Sequence, residues 1–308
     1  MTVTTNARQN TTTKQYSLQQ NKKITIKATV KSGSKAASGK VTFYDGSKKL
    51  KTVSLKSGVA KLTIKVTKLG THTYTAKYIP KGKSKSTANG KAKVNVYSLS
   101  IKTDKVVYEA YVKNYFPLTV TASYSGKFTT SGYIDFWDGA YRNEFSGDKY
   151  IGPYTNPTNK KFSVTRTVYL GSESIKKNTT DPDAAANTSR VYTVSFTTQA
   201  DADQGTTAMK TFTVKWLSNV IAVNGQTGKL VLPNSQTYTS TTGVLSGSYF
   251  SYCSAKVTHL DNTYTIYYST TAANLDANHN LVVPVSGATD STVEFEDCAT
   301  TGAVAITP

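Results

Sequence analysis

Residues 40–46 read KVTFYDG and residues 133–139 read YIDFWDG. In the first stretch Val41 and Phe43 fall on one side of an alternating run that closes in Asp45-Gly46. Alternation with a period of two marks a strand buried on one face, and Asp-Gly is a turn signal. In the second stretch the same reading points Phe136 inward and turns the chain at Asp138-Gly139. Asp45 and Asp138 stand 93 residues apart. The pair therefore reads as punctuation in a tandem repeat, with Asp138 a turn residue and not half of a catalytic pair with Asp135.

The alternation continues on both sides. ITIKATV (24–30) places Ile24, Ile26, Ala28 and Val30 on one face. LKTVSL (50–55) follows, then AKLTIKV (60–66) with Leu62, Ile64 and Val66 inward. THTYTAKY (71–78) points Tyr74, Ala76 and Tyr78 inward, and KAKVNV (91–96) points Ala92, Val94 and Val96. With a short strand near Tyr16, this makes about seven strands at sandwich spacing. Residues 98–216 repeat the order. LTVTASY (118–124), VYTVSF (191–196) and KTFTVKW (210–216) answer the first copy, and the polar stretches 150–161 and 175–190 read as long loops. Residues 217–308 do not repeat. They open with SNVIAVNGQTGKLVL (218–232), two β-runs around Asn224-Gly225 that read as a hairpin. SYFSYCSAKV, TYTIYYST, LVVPV, TVEFE and AVAIT follow. The predicted fold class is all-β: tandem sandwiches followed by a third β-rich domain. Residues 1–15 read as a flexible polar arm, 16–97 as a Lys-rich sandwich, 98–216 as a second sandwich with long loops, and 217–308 as a C-terminal β domain.

The 308-residue chain is 38% hydrophobic and carries a net charge of +19. The charge is unevenly placed. Residues 1–97 hold 21 Lys and Arg against one acid, Asp45, whereas residues 217–308 hold Lys229 and Lys256 against six acids. An imbalance of this kind repels itself unless something anionic offsets it. Lys27, Lys61, Lys65, Lys77, Lys91 and Lys93 fall at outward strand positions, and Lys81, Lys83 and Lys85 fall in the loop 80–90. These nine are the candidate residues for an anionic partner. Most aromatics of the segment point inward and leave only Tyr44, so a base-stacking platform is missing and sequence-specific nucleic-acid reading is not expected. An acidic protein surface, or an anionic polymer or glycan of a host surface, fits better. No apolar run is long enough to span a membrane. The polar N-terminus lacks the apolar core of a secretory signal and is read as carrying no export signal.

Catalytic constellations are not apparent. His72, His259 and His279 lie in unrelated contexts, and there is no Gly-x-Ser-x-Gly elbow. Gly82-Lys83-Ser84 has the tail of a phosphate loop, but Lys77 stands where its first glycine belongs. No enzyme activity and no cofactor are expected. DADQG (201–205) and DANHN (276–280) space oxygens as calcium loops do, yet lack the closing carboxylate, so they read as polar turns and no metal is expected. Cys253 and Cys298 are the only cysteines. A disulfide and two buried thiols both remain open.

The run SGKVTFYDGSKKL, followed by SLKSGVAKLTI and LGTHTYTAKY, resembles the bacterial immunoglobulin-like repeats of surface proteins and phage virions. The likeness is close over residues 20–97 and looser over 98–216. Leu69-Gly70 followed by Tyr74 resembles the corner at which a tyrosine ties down the crossing loop. VNGQTGKLVL (223–232) is similar to a phrase of phage fibre and head-fibre proteins. These resemblances imply a non-enzymatic structural protein of a phage virion, of capsid-decorating or head-fibre type, displayed on the virion surface for weak adhesion. Its partners would be other capsid or tail proteins, and it would be oligomeric on the particle. A phage tail tube subunit or fibre with projecting domains, and a cell-surface adhesin, are the alternatives.

Overall fold

A computed structural model describes residues 1–9, 15–83, 87–126, 132–138, 141–143, 149–151, 161–171, 185–198, 207–233, 235–238, 247–250, 252–300 and 303–308. The first sandwich begins with β1 (Thr2–Thr5), β2 (Arg8–Gln9), β3 (Tyr16–Gln19) and β4 (Lys23–Thr29). A short pair follows, β5 (Lys31–Ser32) and β6 (Lys35–Ala36), then β7 (Gly39–Asp45) and β8 (Lys48–Ser54). It is completed by β9 (Val59–Lys65), β10 (Gly70–Pro80) and the first half of β11 (Ala88–Thr103). One sheet has the order β1-β4-β9. The facing sheet runs β8-β7-β10-β11, with β3 parallel to β11 at its edge. The alternation read from the sequence is what fills the space between them. Ile24, Ile26, Val41 and Phe43 are completely buried, each contributing about 1.5–3 kcal/mol of burial. Gly46, at φ +57°, turns β7 into β8.

Residues 2–5 depart from the expected flexible arm. They pair with β4 from Thr2↔Thr29 to Thr5↔Ile26, and Met1 and Val3 pack on the core. TVTT offers a single apolar residue to a periodicity reading, so the sequence pattern there was too short to mark a strand.

The boundary between the first two sandwiches falls inside one strand. β11 pairs with β10 through Val96 and then, from Ser98, with β13 (Tyr115–Ser125). Ala92, Val94 and Val96 are buried on the first side, and Tyr97, Leu99 and Ile101 belong to the second core. The alternation slips one residue at 96/97, so opposite faces of one strand serve two cores.

The second sandwich adds β12 (Val107–Tyr111), β14 (Gly132–Asp138), β15 (Tyr141–Asn143) and β16 (Lys149–Ile151) to β13. It ends with β17 (Lys161–Gly171), β18 (Thr188–Thr198) and β19 (Thr207–Leu217). Its sheets are β11-β13-β17 and β12-β19-β18-β14-β15, with β12 parallel to β19 as β3 is to β11. β14 is the counterpart of β7. The inward orientation expected for Phe136 lies outside the described residues. Trp216 is the largest fully buried side chain among the described residues, and its indole N–H donates to the Tyr192 hydroxyl at 3.0 Å.

Tyr74 holds the place in the first sandwich that Tyr192 holds in the second. It is 1% exposed, but its hydroxyl has no hydrogen-bond partner, so it does not tie down the crossing loop as expected. Burial, helped by the charge of Asp45, pushes its pKa up. The tie is made by His72, whose Nε2 lies 2.8 Å from the Lys68 carbonyl oxygen and whose Nδ1 lies 2.6 Å from Asp45 Oδ2.

The third domain contains β20 (Val220–Ala222), β21 (Gly228–Leu232), β22 (Ser235–Tyr238) and β23 (Gly247–Phe250). β24 (Ser254–His259), β25 (Tyr264–Tyr268), β26 (Leu281–Val285) and β27 (Asp290–Glu296) follow. A four-stranded sheet, β20-β27-β24-β25, accompanies the pairs β21-β26 and β22-β23. Asn224 and Gly225 take φ of +51° and +75°, and Gln226 N–H donates to the Val223 carbonyl at 3.0 Å. This is the turn chemistry expected of Asn-Gly, but the hairpin is not formed. β20 pairs with β27 and β21 with β26, so the turn carries the chain from one sheet to another. AVAIT is not a regular strand either. Thr307 exchanges hydrogen bonds with Lys229, while Val304 and Ile306 pack on the core. Cys253 and Cys298 form a disulfide, and both residues are fully buried.

Asp290 fastens the loop before β27. It accepts from Ser286 N–H at 2.6 Å and Thr289 Oγ1 at 3.0 Å, and lies 2.7 Å from His259 Nδ1. Burial works to raise its pKa, but these hydrogen bonds outweigh it and hold the carboxyl below its ordinary value. A depressed carboxyl pKa contributes stability that is present above the ordinary aspartate value, about 3.9, and is lost as pH falls toward the lower folded value. Asp290→Asn is expected to flatten the acid limb of a stability-against-pH curve measured by denaturant unfolding.

The second and third domains are clasped. The end of β12 and the turn after it reach into the third domain, where Tyr111 joins the core and meets the Phe295 ring edge-on at 5.1 Å. Asn114 is 1% exposed. Its amide donates to the carbonyls of Val112 (2.8 Å) and Phe295 (3.0 Å), and its oxygen accepts from Cys298 N–H at 3.0 Å. Tyr115 N–H donates in turn to the Cys298 carbonyl. Lys113 bridges Glu294 and Glu296, which raises its pKa, the Glu296 contact most.

Candidate functional site

The lysines singled out in the sequence are all exposed where described, but the fold does not gather them. Lys27, Lys61 and Lys65 project from the β1-β4-β9 sheet. Lys77, Lys91 and Lys93 project from the opposite sheet. Lys81 and Lys83 lie in the turn after β10, and Lys85 lies outside the described residues. Among the described residues, no lysine of 1–97 has a carboxylate within ion-pairing distance. Asp45, the one acid available, is occupied by His72.

The two faces differ in register. On the β10/β11 face the lysines stand opposite neutral residues, as in Thr75↔Lys91, Thr73↔Lys93 and Lys77↔Thr42. Lys77 is further settled over the Tyr44 ring at 4.9 Å. On the β4/β9 face lysine stands opposite lysine, as Lys23↔Lys65 and Lys27↔Lys61, with Thr25↔Thr63 between. Lys23 was missed in the sequence because the strand was read from Ile24. Its outward phase with Thr25 and Lys27 was the available signal.

The second sandwich supplies an internal comparison. Its matching strands, β13 and β17, carry Thr119–Thr167, Thr121–Thr165 and Ser123–Ser163 hydroxyl pairs at 2.8–2.9 Å. Thr25–Thr63 reproduces one of these at 2.9 Å. By the alignment of ITIKATV with LTVTASY, Lys27↔Lys61 stands where Thr121↔Thr165 stands. Directly opposed like charges are destabilising, and the neighbouring copy shows that the fold does not demand them. Replacing Lys27 and Lys61 together by threonine is expected to stabilise the first sandwich by about 0.2–1 kcal/mol, measured by denaturant unfolding at low salt.

The other candidates have structural occupations. Asp276 of DANHN accepts from the Asn280 N–H and side-chain amide, and from Asn278 N–H. These bonds hold its pKa down, Asn280 foremost, and spend the carboxylate within a turn. DADQG lies outside the described residues. His72 and His259 each pair with one aspartate in different domains. Among the described residues, no three His, Cys, Asp or Glu side chains gather as a metal site would require. A cleft of about 250 Å³ is lined by Lys105, Tyr108, Glu109, Phe116 and Thr300, and its carboxylate, Glu109, is paired with Lys215 at 3.4 Å.

The first sandwich, with one three-stranded sheet facing a larger sheet whose edge strand runs parallel, has a recognisable type. Residues 11–97 match the bacterial Ig-like domain (group 3). The likeness read from SGKVTFYDG thus falls on an Ig-like domain, and the whole chain is an all-β tandem of Ig-like sandwiches with a third β-rich domain. Among solved structures, the chain is similar to the fibronectin(III)-like modules of Clostridium thermocellum CbhA. That match has 20% identity, 70% of this chain and 94% of that one covered, and a TM-score of 0.29. The I67–I69 fragment of the titin I-band matches with 11% identity, 96% and 88% coverage and a TM-score of 0.33. The D0–D1 domain of intimin matches with 17% identity, 68% and 96% coverage and a TM-score of 0.24. No curated protein matches the chain. The Ig-like fold typically serves non-catalytic roles.

Proposed function

We propose that the chain is a non-enzymatic display protein of a phage virion, of the capsid-decorating or head-fibre type. Its Ig-like domains would hold a cationic surface out toward an anionic partner on the host or its surroundings. The observation that carries the adhesive part is the first sandwich, whose lysines, among the described residues, have no carboxylate within ion-pairing distance. The display part is supported by the junctions. β11 runs unbroken from one Ig-like domain into the next, and the Asn114 clasp joins the second domain to the third. The phage assignment is supported by the resemblance of Val223–Leu232 to a phage fibre phrase and by the Ig-like repeats. Purified particles labelled with gold-conjugated antibody against residues 1–97 are expected to show label at the capsid surface under the electron microscope. Label confined to the tail would favour a tail fibre or tube protein, and unlabelled particles would remove the virion assignment.

A further inference from the structure

We infer that the β1-β4-β9 face of the first Ig-like domain, and not the opposite Lys-bearing face, is a docking surface for a flexible, linear phosphodiester polymer of the cell envelope. The inference rests on the anionic-partner reading above and specifies it.

Register decides the face. Lys23↔Lys65 and Lys27↔Lys61 form two rungs of directly opposed cations, with side chains about 5 Å apart across each rung. Such a pair repels itself without an anion between the two ammonium groups, and an anion seated there meets both at once. In the next domain the position of Lys27↔Lys61 carries a Thr–Thr hydrogen bond and that of Lys23↔Lys65 carries Pro117↔Tyr169, so the lysines answer to something other than the fold. The β7/β10/β11 face lacks this arrangement, since Lys40, Lys77, Lys91 and Lys93 stand opposite isoleucine, serine, threonine or asparagine and never opposite lysine.

The spacing and composition of the face decide the chemistry. The two rungs lie four residues apart on β4, roughly 13 Å at the rise of a strand. The neutral Thr25–Thr63 pair between them offers hydroxyls. A single small anion reaches one rung, whereas a chain with recurring charges spans both and gains from the second contact without a second encounter. Thr4, opposite Lys27 on β1, continues the polar surface. The outward positions of the three rungs hold only lysine and threonine. A protein partner would need an apolar centre and a single-stranded nucleic acid would need aromatic stacking. A hydrated phosphate backbone needs neither.

Full-length protein is titrated with poly(glycerol phosphate) at about 0.1 M salt. One variant carries Lys23→Gln, Lys27→Gln, Lys61→Gln and Lys65→Gln. A second carries Lys40→Gln, Lys77→Gln, Lys91→Gln and Lys93→Gln on the other sheet, removing the same charge. The sheets lie about 10 Å apart, a distance close to the screening length. The first variant is therefore expected to lose about tenfold or more in affinity, and the second less than about threefold. A Lys27→Thr, Lys61→Thr variant, which installs the pairing already present in the next domain, keeps the test independent of folding and is expected to lose affinity as well. Equal losses in the two Gln variants would overturn the choice of face and leave the anionic-partner reading standing. Failure of the unmodified protein to bind would overturn both. Duplex DNA competing equally well at the same phosphate concentration would overturn the assignment to a flexible polymer.

Discussion

Replacing Cys253 and Cys298 together by alanine is expected to destabilise the third domain by about 4 kcal/mol. That is the chain-entropy value for releasing a closure of this length, here a sequence separation of 45. Both cysteines are fully buried beside β24 and β27, and the bond is part of the core that holds Leu230, Val257 and Phe295. The change should appear as a lower midpoint of the thermal transition belonging to residues 217–308. Reduction of the unmodified protein under mild denaturant should reproduce it. An unchanged midpoint would mean that the core carries the domain without the bond. The effect is expected to reach the second domain too, because Cys298 is itself a hydrogen-bonding partner of Asn114 and Tyr115.

Asn114→Ala is expected to cost about 3 kcal/mol, the second-largest effect. The side chain serves three backbone groups, and its loss leaves Cys298 N–H and the Val112 carbonyl without that partner in a buried setting. Each such orphan costs about 1–3 kcal/mol. The Phe295 carbonyl is less exposed to the change, because Asn219 also donates to it at 3.0 Å. Calorimetry of the full chain should show the second and third domains unfolding less cooperatively, and small-angle scattering should show a broader distribution of lengths. Retention of both the midpoint and the length distribution would mean that Tyr111 and the Lys113 ion pairs hold the junction by themselves.

Alternation made the sandwich strands legible, and Val41, Phe43, Ile24 and Ile26 are as buried as their period implies. Where the sequence misled, longer-range geometry had prevailed. Asn224-Gly225 has the turn conformation its residues favour, but local chemistry cannot say which strands the turn will join. Tyr74 sits at its corner, but whether its hydroxyl finds a partner depends on Trp216 in one copy and on nothing comparable in the other. The one-residue slip from Val96 to Tyr97 was present in the sequence as a change of phase, and it is the signal by which the shared strand could have been found. The lysine set was readable as a charge imbalance. Its division between two faces, and the facing of Lys27 by Lys61, follow from strand register, which single-strand periodicity does not contain.

The central claim is that the first Ig-like domain engages an anionic surface through lysines that, among the described residues, have no carboxylate partner. The most direct measurement is the affinity of the full-length protein for poly(glycerol phosphate) across a series of salt concentrations. Logarithmic affinity is expected to fall linearly with the logarithm of salt. Four lysine contacts on a flexible chain give a slope of about −3, by analogy with single-stranded polyanions. A flat dependence, or binding that persists unchanged at high salt, would contradict the claim.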